Sequence, residues 1–382
     1  MIKIKFENLL VSIVVSVVVF FNTISTTMLE RTFFQVKVNF LFLVVLLLGL
    51  RFLYKMRVSY KYLILSILLL LSGVLVYFQT NRLNFLVYSM LLVLLVNVDM
   101  KVVLRNYVVV AGILVVGVFL LSLVGIVPNL QYNRAGVIRN SFGFIYPTDF
   151  ASHCFYLFLA ISYLLKDKFI WTRSLFGVLL SAFIIKYCDA RLNAVSILLA
   201  TVIFIYFYYS NGKKLKIFAL LPYSAVVFAS VVTYLSYKFS WSNPFLVSIN
   251  KLITGRLALG RNAFDTFGVH LFGTRNVQFI GSGGKTESVI GYNYVDSSYV
   301  QMLFTYGIVP VILLIIIYVV ASRKQYKDGQ YLLVAILSLI AFNCMIEAFW
   351  FVPTYNIFMF LLFTTNTFSK KESNDVVALN ET

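Results

Sequence analysis

The sequence predicts an all-α protein that crosses a membrane about twelve times. Three observations lead to this fold class: an apolar composition, apolar runs as long as a membrane is thick, and positive charge placed regularly between the runs. Of the 382 residues, 61% are hydrophobic and 12% are charged. Soluble domains average about 45–50% apolar and about 25% charged residues. Lipid is therefore the expected solvent for most of the chain.

Apolar runs of about 18–20 residues recur along the sequence, and each has the length of one transmembrane helix. The runs are continuous and do not alternate, so helices are expected rather than a β-barrel. Together they form one transmembrane domain, residues 1–369, followed by a polar cytoplasmic tail, residues 370–382. The expected spans lie near residues 8–28, 33–50, 62–78, 83–98, 105–127, 147–165, 174–188, 192–210, 216–237, 297–320, 330–350 and 353–369.

The positive charges indicate which side of the membrane each segment occupies. If both termini are cytoplasmic, 19 of the 32 lysines and arginines fall in inner segments, and every inner loop is basic. This is the positive-inside pattern. A net charge of +18 could also suit nucleic acid, but no soluble basic domain exists to bind it. The pattern predicts a multi-pass membrane protein with both termini in the cytoplasm and with no nucleic-acid partner.

A long polar segment, residues 238–296, separates the ninth and tenth spans and is expected to be a large external loop, a partly helical subdomain. In all predicted outer segments arginine outnumbers lysine by 8 to 5, whereas lysine outnumbers arginine by 14 to 5 inside. Topology requires only charge, but the planar guanidinium of arginine can bind phosphate oxygens in pairs. The bias therefore indicates an external anionic ligand.

Residues 128–149 form an outer segment that holds Arg134 and Arg139 just before a predicted span. We interpret the two arginines as a phosphate clamp. A capped loop with surface arginines is equally compatible with their spacing. The span opens with Pro147 and carries Asp149 in its first turn, which is an ordinary helix start.

Asp189 and Arg191 lie where two predicted spans meet with almost no loop. Because the preceding span is short, this turn is expected below the outer membrane surface, where charges are costly and tend to face a wet cavity. The two residues could simply pair with each other at the turn. We favour function, with Arg191 as an anion ligand and Asp189 as a candidate base, because uncharged residues make a turn equally well.

The middle of the long loop, residues 255–270, has apolar residues at spacings that suit a helix lying on the membrane surface. Arg256 and Arg261 are candidate phosphate ligands on this helix. Arg261 could instead pair with Asp265 across one turn. His270 is a candidate base, although a lone histidine is more often structural.

Asp296 stands where the long loop returns to the predicted membrane, and it is the first candidate for the catalytic base. A helix N-cap is an equally strong interpretation, because an Asp before a helix accepts bonds from free amide groups. Glu347, near the end of the eleventh predicted span, is a further acid inside the membrane. The glycine-rich run 281–286 lacks the spacing of a phosphate-binding loop, and we interpret it as a flexible turn.

No metal and no cofactor are expected. The three cysteines, Cys154, Cys188 and Cys344, form no CxxC pair, and the predicted outer segments hold no Asp-x-Asp or histidine cluster. The cysteines are interpreted as small packing residues.

Three landmarks resemble the superfamily of Wzy-type polysaccharide repeat-unit polymerases and O-antigen ligases. The run RNSFGFIYPTDF at 139–150 is similar to its external segment R-x-x-G-x-x-x-P-N-x-F, and ARLNA at 190–194 resembles its S-R-T-x-x turn. Gly255-Arg256, with DSSY at 296–299, resembles its long loop and return helix. Ligases of the superfamily usually carry a His-Asn pair where this chain has Asp-Ser at 296–297. That departure favours a polymerase.

The resemblance implies a glycosyltransferase of capsule, exopolysaccharide or O-antigen synthesis, embedded in the cytoplasmic membrane of a bacterium. Its substrate would be an oligosaccharide on undecaprenyl pyrophosphate, and its other partners would be membrane lipid, a flippase and a chain-length regulator of the same pathway. The growing glycan would move to another lipid-linked repeat unit. Arginines would hold the pyrophosphate, chiefly Arg139, Arg191 and Arg256, and an acid or His270 would take the acceptor's proton.

Three alternatives remain. A flippase or other transporter of the same lipid-linked sugar also needs cationic cavities, but not a long external loop. A ligase-like transferase would share the fold. A glycosyltransferase that uses polyprenyl-phosphate sugars typically has an acidic pair in its first outer loop, where this chain has only Glu30, next to Arg31.

Overall fold

The computed structural model describes residues 6–29, 38–47, 49, 60–134, 136–210, 215–286 and 290–365. Several predictions fall outside these residues. They include the cytoplasmic tail 370–382, the inner charges at 51–57 and the outer pair at 30–31.

The described chain is mostly helical, which confirms the all-α class. Among the described residues, seven segments are long and apolar enough to cross a membrane. A multi-pass membrane protein is therefore indicated, while the count of twelve spans stays a prediction. The helices are α1 (Phe6–Ile24), α2 (Val38–Leu47), α3 (Tyr60–Thr80), α4 (Asn84–Leu94), α5 (Met100–Leu123), α6 (Pro147–Leu164), α7 (Ile170–Cys188), α8 (Arg191–Tyr209), α9 (Ser224–Lys238), α10 (Pro244–Leu252), α11 (Arg256–Phe267), α12 (Ser298–Thr305), α13 (Ile308–Lys327), α14 (Tyr331–Asn343) and α15 (Ile357–Phe360).

Three helices near the centre of the molecule are joined by polar side chains. Asn343 of α14 donates to Ser196 of α8 at 3.0 Å, and Asn193 of α8 donates to Ser152 of α6 at 3.1 Å. All four side chains are fully buried. In an apolar bundle, such bonds fix how neighbouring helices face one another. The ends of α6, α8 and α14 are therefore held in register, and these ends carry the charged residues described below.

The chain between α14 and α15 is irregular, although the sequence predicts spans at 330–350 and 353–369. The helix stops after Asn343, and residues 344–356 form turns. Pro353 contributes to this, because it lacks a backbone N–H and disfavours helical geometry in the residue before it. The carbonyls of Ile346 and Glu347 accept hydrogen bonds from Arg256 and Ser298. An apolar run alone does not distinguish such a segment from a helix.

The predicted span 297–320 is also interrupted, because α12 ends and α13 begins at Gly307. The φ of Gly307 is +93°, which favours glycine. The long loop passes directly against this break: Ile308 and Val309 donate backbone bonds to His270 and Leu271 at 3.0 and 3.1 Å. The long loop is thus attached to the break by main-chain pairing.

We expect Gly307→Ala to lower the free energy of unfolding by about 2–4 kcal/mol. A Cβ at this position would overlap the backbone of Gly273 and Leu271, and the positive φ adds strain. The measurement is the thermal unfolding of the purified protein in detergent. Gly112→Ala in α5 is the matched control, because a Cβ there meets open space. Equal melting temperatures for the two variants would contradict the packing argument.

Candidate active site

A short β-hairpin brings Arg134 and Arg139 onto one face. Strand β1 (Gln131–Arg134) pairs antiparallel with β2 (Val137–Asn140), placing Tyr132 opposite Arg139 and Arg134 opposite Val137. Side chains alternate along a strand, so these four residues project from the same face. Gly136, with a φ of +83°, donates to the Asn133 side chain at 3.0 Å and supports the turn. The sequence predicts the two arginines but not the hairpin that aligns them.

The hairpin packs on the junction between α7 and α8. Arg134 donates to the Asp189 carbonyl at 2.8 Å and forms an ion pair with the Asp189 carboxylate. Arg191 donates its Nε–H to the same carboxylate at 2.9 Å. Arg139 donates its Nε–H to the Cys188 carbonyl, also at 2.8 Å. The structure therefore brings together four of the residues that the sequence predicts for the site.

Asp189 is suited to holding arginines in place rather than to taking up protons. Burial alone would raise its pKa, but hydrogen bonds from Arg191 and Arg134 outweigh burial and keep the pKa below the ordinary value. A carboxylate with a lowered pKa stays ionised and is a weak base. The sequence lists Asp189 as a candidate base, and its contacts favour an anchoring role.

We expect Asp189→Asn to lower the free energy of unfolding by about 1–3 kcal/mol, because two arginines lose their charged partner. Since the folded pKa is depressed, this contribution is present above about pH 3.9 and is lost as the pH falls through the lowered pKa. Thermal unfolding of wild type and variant across acidic pH measures it. Asp265→Asn is the control, because that carboxylate is 55% exposed and its ion pair with Arg261 is worth little. If the stability difference between wild type and Asp189→Asn is the same at the lowest pH as at neutral pH, ionisation of Asp189 does not stabilise the fold.

A second arginine–carboxylate pair joins the long loop to the irregular segment. Arg256, the first residue of α11, lies with its Nε 3.2 Å from the Asp296 carboxylate. The same Nε–H donates to the Ile346 carbonyl at 3.1 Å. The N-cap position of α12 is Ser297, so Asp296 is not the N-cap that its sequence position suggested. It is the ion-pair partner of Arg256.

Arg139 of the hairpin and Arg256 of α11 act on the same carboxyl groups. Arg139 and Arg256 both act electrostatically on Asp296 and on Glu347. The charge of Asp149 acts on Glu347 as well. We call these five residues the charged cluster. The sequence predicts Arg139, Arg256 and Asp296 as members and notes Glu347, whereas Asp149 is interpreted there only as part of a helix start.

One feature of the sequence could have marked Asp149 as a candidate site residue, namely its charge at the head of a predicted span. It lies in the first turn of α6 and is 8% exposed, although acids at helix starts are normally solvated. The enclosed hydroxyl of Tyr355 lies beside it and makes no hydrogen bond of accepted geometry within the described residues. A charged residue at the head of a predicted span is a reason to suspect a wet recess. A helix start explains its position but not its burial.

Burial sets the protonation behaviour of the cluster members outside the helices. Burial raises the pKa of Asp296, and the positive charges of Arg256 and Arg139 oppose that rise without cancelling it. Burial and repulsion from Arg134 lower the pKa of Arg139 to about 10, although Asp189 partly offsets them. Arg139 is thus still cationic at neutral pH. Asp296, with 27% of its side chain exposed, is accessible to a ligand and closer to neutrality than an ordinary Asp.

The Arg139 guanidinium has donor capacity to spare. Its Nη2 is enclosed and has no hydrogen-bond acceptor among the described residues, and an unsatisfied buried donor of this kind is costly. Because Nη2 is covered, an anionic oxygen would satisfy it only by displacing the groups that cover it. The arrangement can therefore bind an oxyanion beside a carboxyl group whose pKa is raised.

The glycine-rich turn of the long loop lies against the same region. The backbone N–H of Gly283 donates to the Tyr146 hydroxyl at 2.8 Å. Tyr146 directly precedes α6 and acts electrostatically on Tyr292 and Tyr294, as does Asp296. Tyrosines present both a hydroxyl and an aromatic face, which sugars can use. The long loop thus adds polar and aromatic groups beside the charged cluster.

Two predicted site residues lie apart from the charged cluster. Arg261 is held by Asp265 at 2.8 Å and by the Tyr237 carbonyl at 2.6 Å, which is the pairing that its spacing allowed. His270 is exposed, and its carbonyl pairs with Ile308 at the helix break. No contact within the described residues joins either side chain to Asp296. A phosphate-binding role for Arg261 and a base role for His270 gain no support from this placement.

Comparison of the chain with models of protein families, with curated protein sequences and with solved structures finds no match.

Proposed function

We propose that this chain is a membrane-embedded polymerase of lipid-linked oligosaccharide repeat units. The observation that carries the proposal is the charged cluster, in which Arg256 pairs with Asp296 and the charge of Arg139 also acts on it. The resemblance of the runs at 139–150, 190–194 and 296–299 to polysaccharide polymerases supports the same reaction. The predicted substrate is an oligosaccharide on undecaprenyl pyrophosphate.

The arginines suit a pyrophosphate leaving group. When the bond between the anomeric carbon and the pyrophosphate oxygen breaks, negative charge develops on that oxygen. Preorganised guanidinium groups stabilise such charge more strongly in a recess than in water. The enclosed Nη2 of Arg139 has no acceptor among the described residues, and the Arg256 side chain is 15% exposed. Arg134 and Arg191, held by Asp189, add positive charge nearby.

Asp296 suits the role of general base. The hydroxyl oxygen of the acceptor sugar forms the new bond to the anomeric carbon, and its proton passes to the Asp296 carboxylate. A base is most effective when its pKa approaches the working pH, and burial moves Asp296 in that direction. The pyrophosphate leaves with the pair of electrons from the broken bond. The donor is already activated, so the reaction requires no nucleotide.

A transporter of lipid-linked oligosaccharide is the second candidate. The irregular segment 344–356 between α14 and α15 favours it, because discontinuous helices and buried acids are common at transporter substrate sites. Glu347 lies in this segment and is 5% exposed. A transporter moves its substrate without lengthening it, which gives a direct way to separate the two functions.

The test uses purified protein in detergent micelles and a lipid-linked repeat unit as the only substrate. Micelles have no two compartments, so a transporter leaves the substrate unchanged. A polymerase produces a ladder of longer glycans on a gel and releases undecaprenyl pyrophosphate in proportion. Absence of longer products, under conditions where membranes of the source cells make them, would overturn the proposal. Movement of the lipid across vesicles without elongation would establish the transporter.

A further inference from the structure

A second charged feature lies at the other end of α6. Lys101 and Arg105 of α5 and Lys168, which follows α6, line a cavity of about 610 Å³. Ile161, the lining residue of α6 that is nearest to Asp149 in sequence, lies twelve residues after it, a distance of about 18 Å at 1.5 Å per residue. The cavity is thus distinct from the charged cluster.

The lining of this cavity is amphiphilic. Its other residues are aliphatic: Val108 of α5, Ile161 and Leu164 of α6, and Leu165. On α5, Lys101 and Arg105 are one turn apart and therefore share a face with Val108. The cations stand at the helix ends, and the aliphatic side chains lie one turn deeper. Cationic groups above aliphatic ones match the order of phosphate and acyl chain in a phospholipid.

We propose that this cavity binds an anionic phospholipid, with the lipid phosphate at Arg105 and Lys168 and the acyl chains along α5 and α6. Three positive side chains line the cavity, and no acidic residue does so among those that the structure assigns to its wall. Basic pockets between transmembrane helices on the cytoplasmic side bind anionic lipid headgroups. The volume lies within the range of about 300–1,000 Å³ that is usual for ligand sites.

Topology alone accounts for positive charge at this end, but not for the cavity. The predicted cytoplasmic segments also hold exposed lysines that do not line it, such as Lys216 and Lys327. Two acids flank the site in sequence: Asp99, whose carboxylate accepts from the Lys101 amide at 3.0 Å, and Asp167. Neither is among the lining residues. The side chains that line the cavity are therefore cationic or aliphatic, and this lining is complementary to an anionic lipid.

The test compares two double variants that remove the same amount of charge. Arg105→Gln with Lys168→Gln alters the cavity, and Lys216→Gln with Lys327→Gln is the matched control. All four side chains are exposed, so folding is expected to survive in both. Native mass spectrometry of the purified full chain measures binding of phosphatidylglycerol, with phosphatidylcholine as the neutral lipid and inorganic phosphate as competitor.

Wild type and control are expected to bind phosphatidylglycerol in preference to phosphatidylcholine. The cavity variant should bind phosphatidylglycerol about 10- to 30-fold more weakly, since each cation near a lipid phosphate contributes substantially. Equal weakening in both double variants would show a general charge effect and overturn the site. Displacement of the lipid by millimolar inorganic phosphate would identify a free-anion site instead. No preference for the anionic lipid in wild type would also overturn the proposal.

Discussion

Asp296→Asn is expected to reduce chain extension by about 100-fold or more, which is the usual contribution of a general base. Asparagine keeps the size of the side chain and its polar contact with Arg256 but cannot take up a proton. The 3.2 Å ion pair becomes a contact between the Arg256 cation and a neutral amide, and Arg256 keeps its hydrogen bond to the Ile346 carbonyl, so the fold should be retained. The measurement is the initial rate of glycan elongation in micelles.

Asp265→Asn is the matched control for this prediction. Asp265 belongs to the same loop and also pairs with an arginine, Arg261, at 2.8 Å, but it lies apart from the charged cluster. We expect this variant to elongate glycans at nearly the wild-type rate. If Asp296→Asn retains more than about half of the activity, a general-base role becomes untenable. A loss of similar size in both variants would mean that the fold of the long loop, not the carboxylate, is required.

Arg139→Lys is the second change with a large expected effect, a loss of about 100-fold in elongation rate. Lysine preserves the positive charge but loses the planar fork that can bind two phosphate oxygens. It also loses the Nε–H that donates to the Cys188 carbonyl at 2.8 Å and the Nη2 donor that has no acceptor among the described residues. The readout is the elongation rate together with the KM for the lipid-linked substrate.

Arg261→Lys tests whether the effect is specific to the charged cluster. Arg261 is engaged by Asp265 and Tyr237, so its replacement should leave both rate and KM within about twofold. A merely structural role of Arg139 would lower the melting temperature without a selective effect on turnover. Wild-type elongation in Arg139→Lys would show that charge alone suffices there.

The fold class was predictable because hydropathy and charge placement are properties of the sequence itself. Spans such as 62–78 and 192–210 correspond closely to α3 and α8. The break at Gly307 and the irregular segment 344–356 were not predictable, because both depend on partners far away in sequence. The two residues after Gly307 donate backbone bonds to His270 and Leu271. In the irregular segment, two backbone carbonyls accept hydrogen bonds from Arg256 and Ser298.

The candidate site was predictable in its arginines and only partly in its acids. Arg134, Arg139, Arg191 and Arg256 stand out because positive charge is disfavoured in outer segments, and the cations found there are mostly arginines. Asp149 does not stand out in the sequence, because a helix start explains an Asp at its position. Only the tertiary structure shows that its side chain is buried. Pairing also redistributed the roles: Asp189 is committed to two arginines, which leaves Asp296 as the more suitable base.

The attachment of the long loop has a consequence for how this chain can vary. Asn293 donates a backbone bond of 3.1 Å to the Ile280 carbonyl, so these two residues are tied together on either side of the glycine-rich turn. Before these residues, the carbonyls of His270 and Leu271 accept backbone bonds from the start of α13. After them, the Ser298 hydroxyl donates to the Glu347 carbonyl. Changes of length between Ile280 and Asn293 are therefore expected to leave Asp296 in place. Under the proposed function, this is the part of the loop where specificity for different sugars is expected to vary while the chemistry at Asp296 is kept.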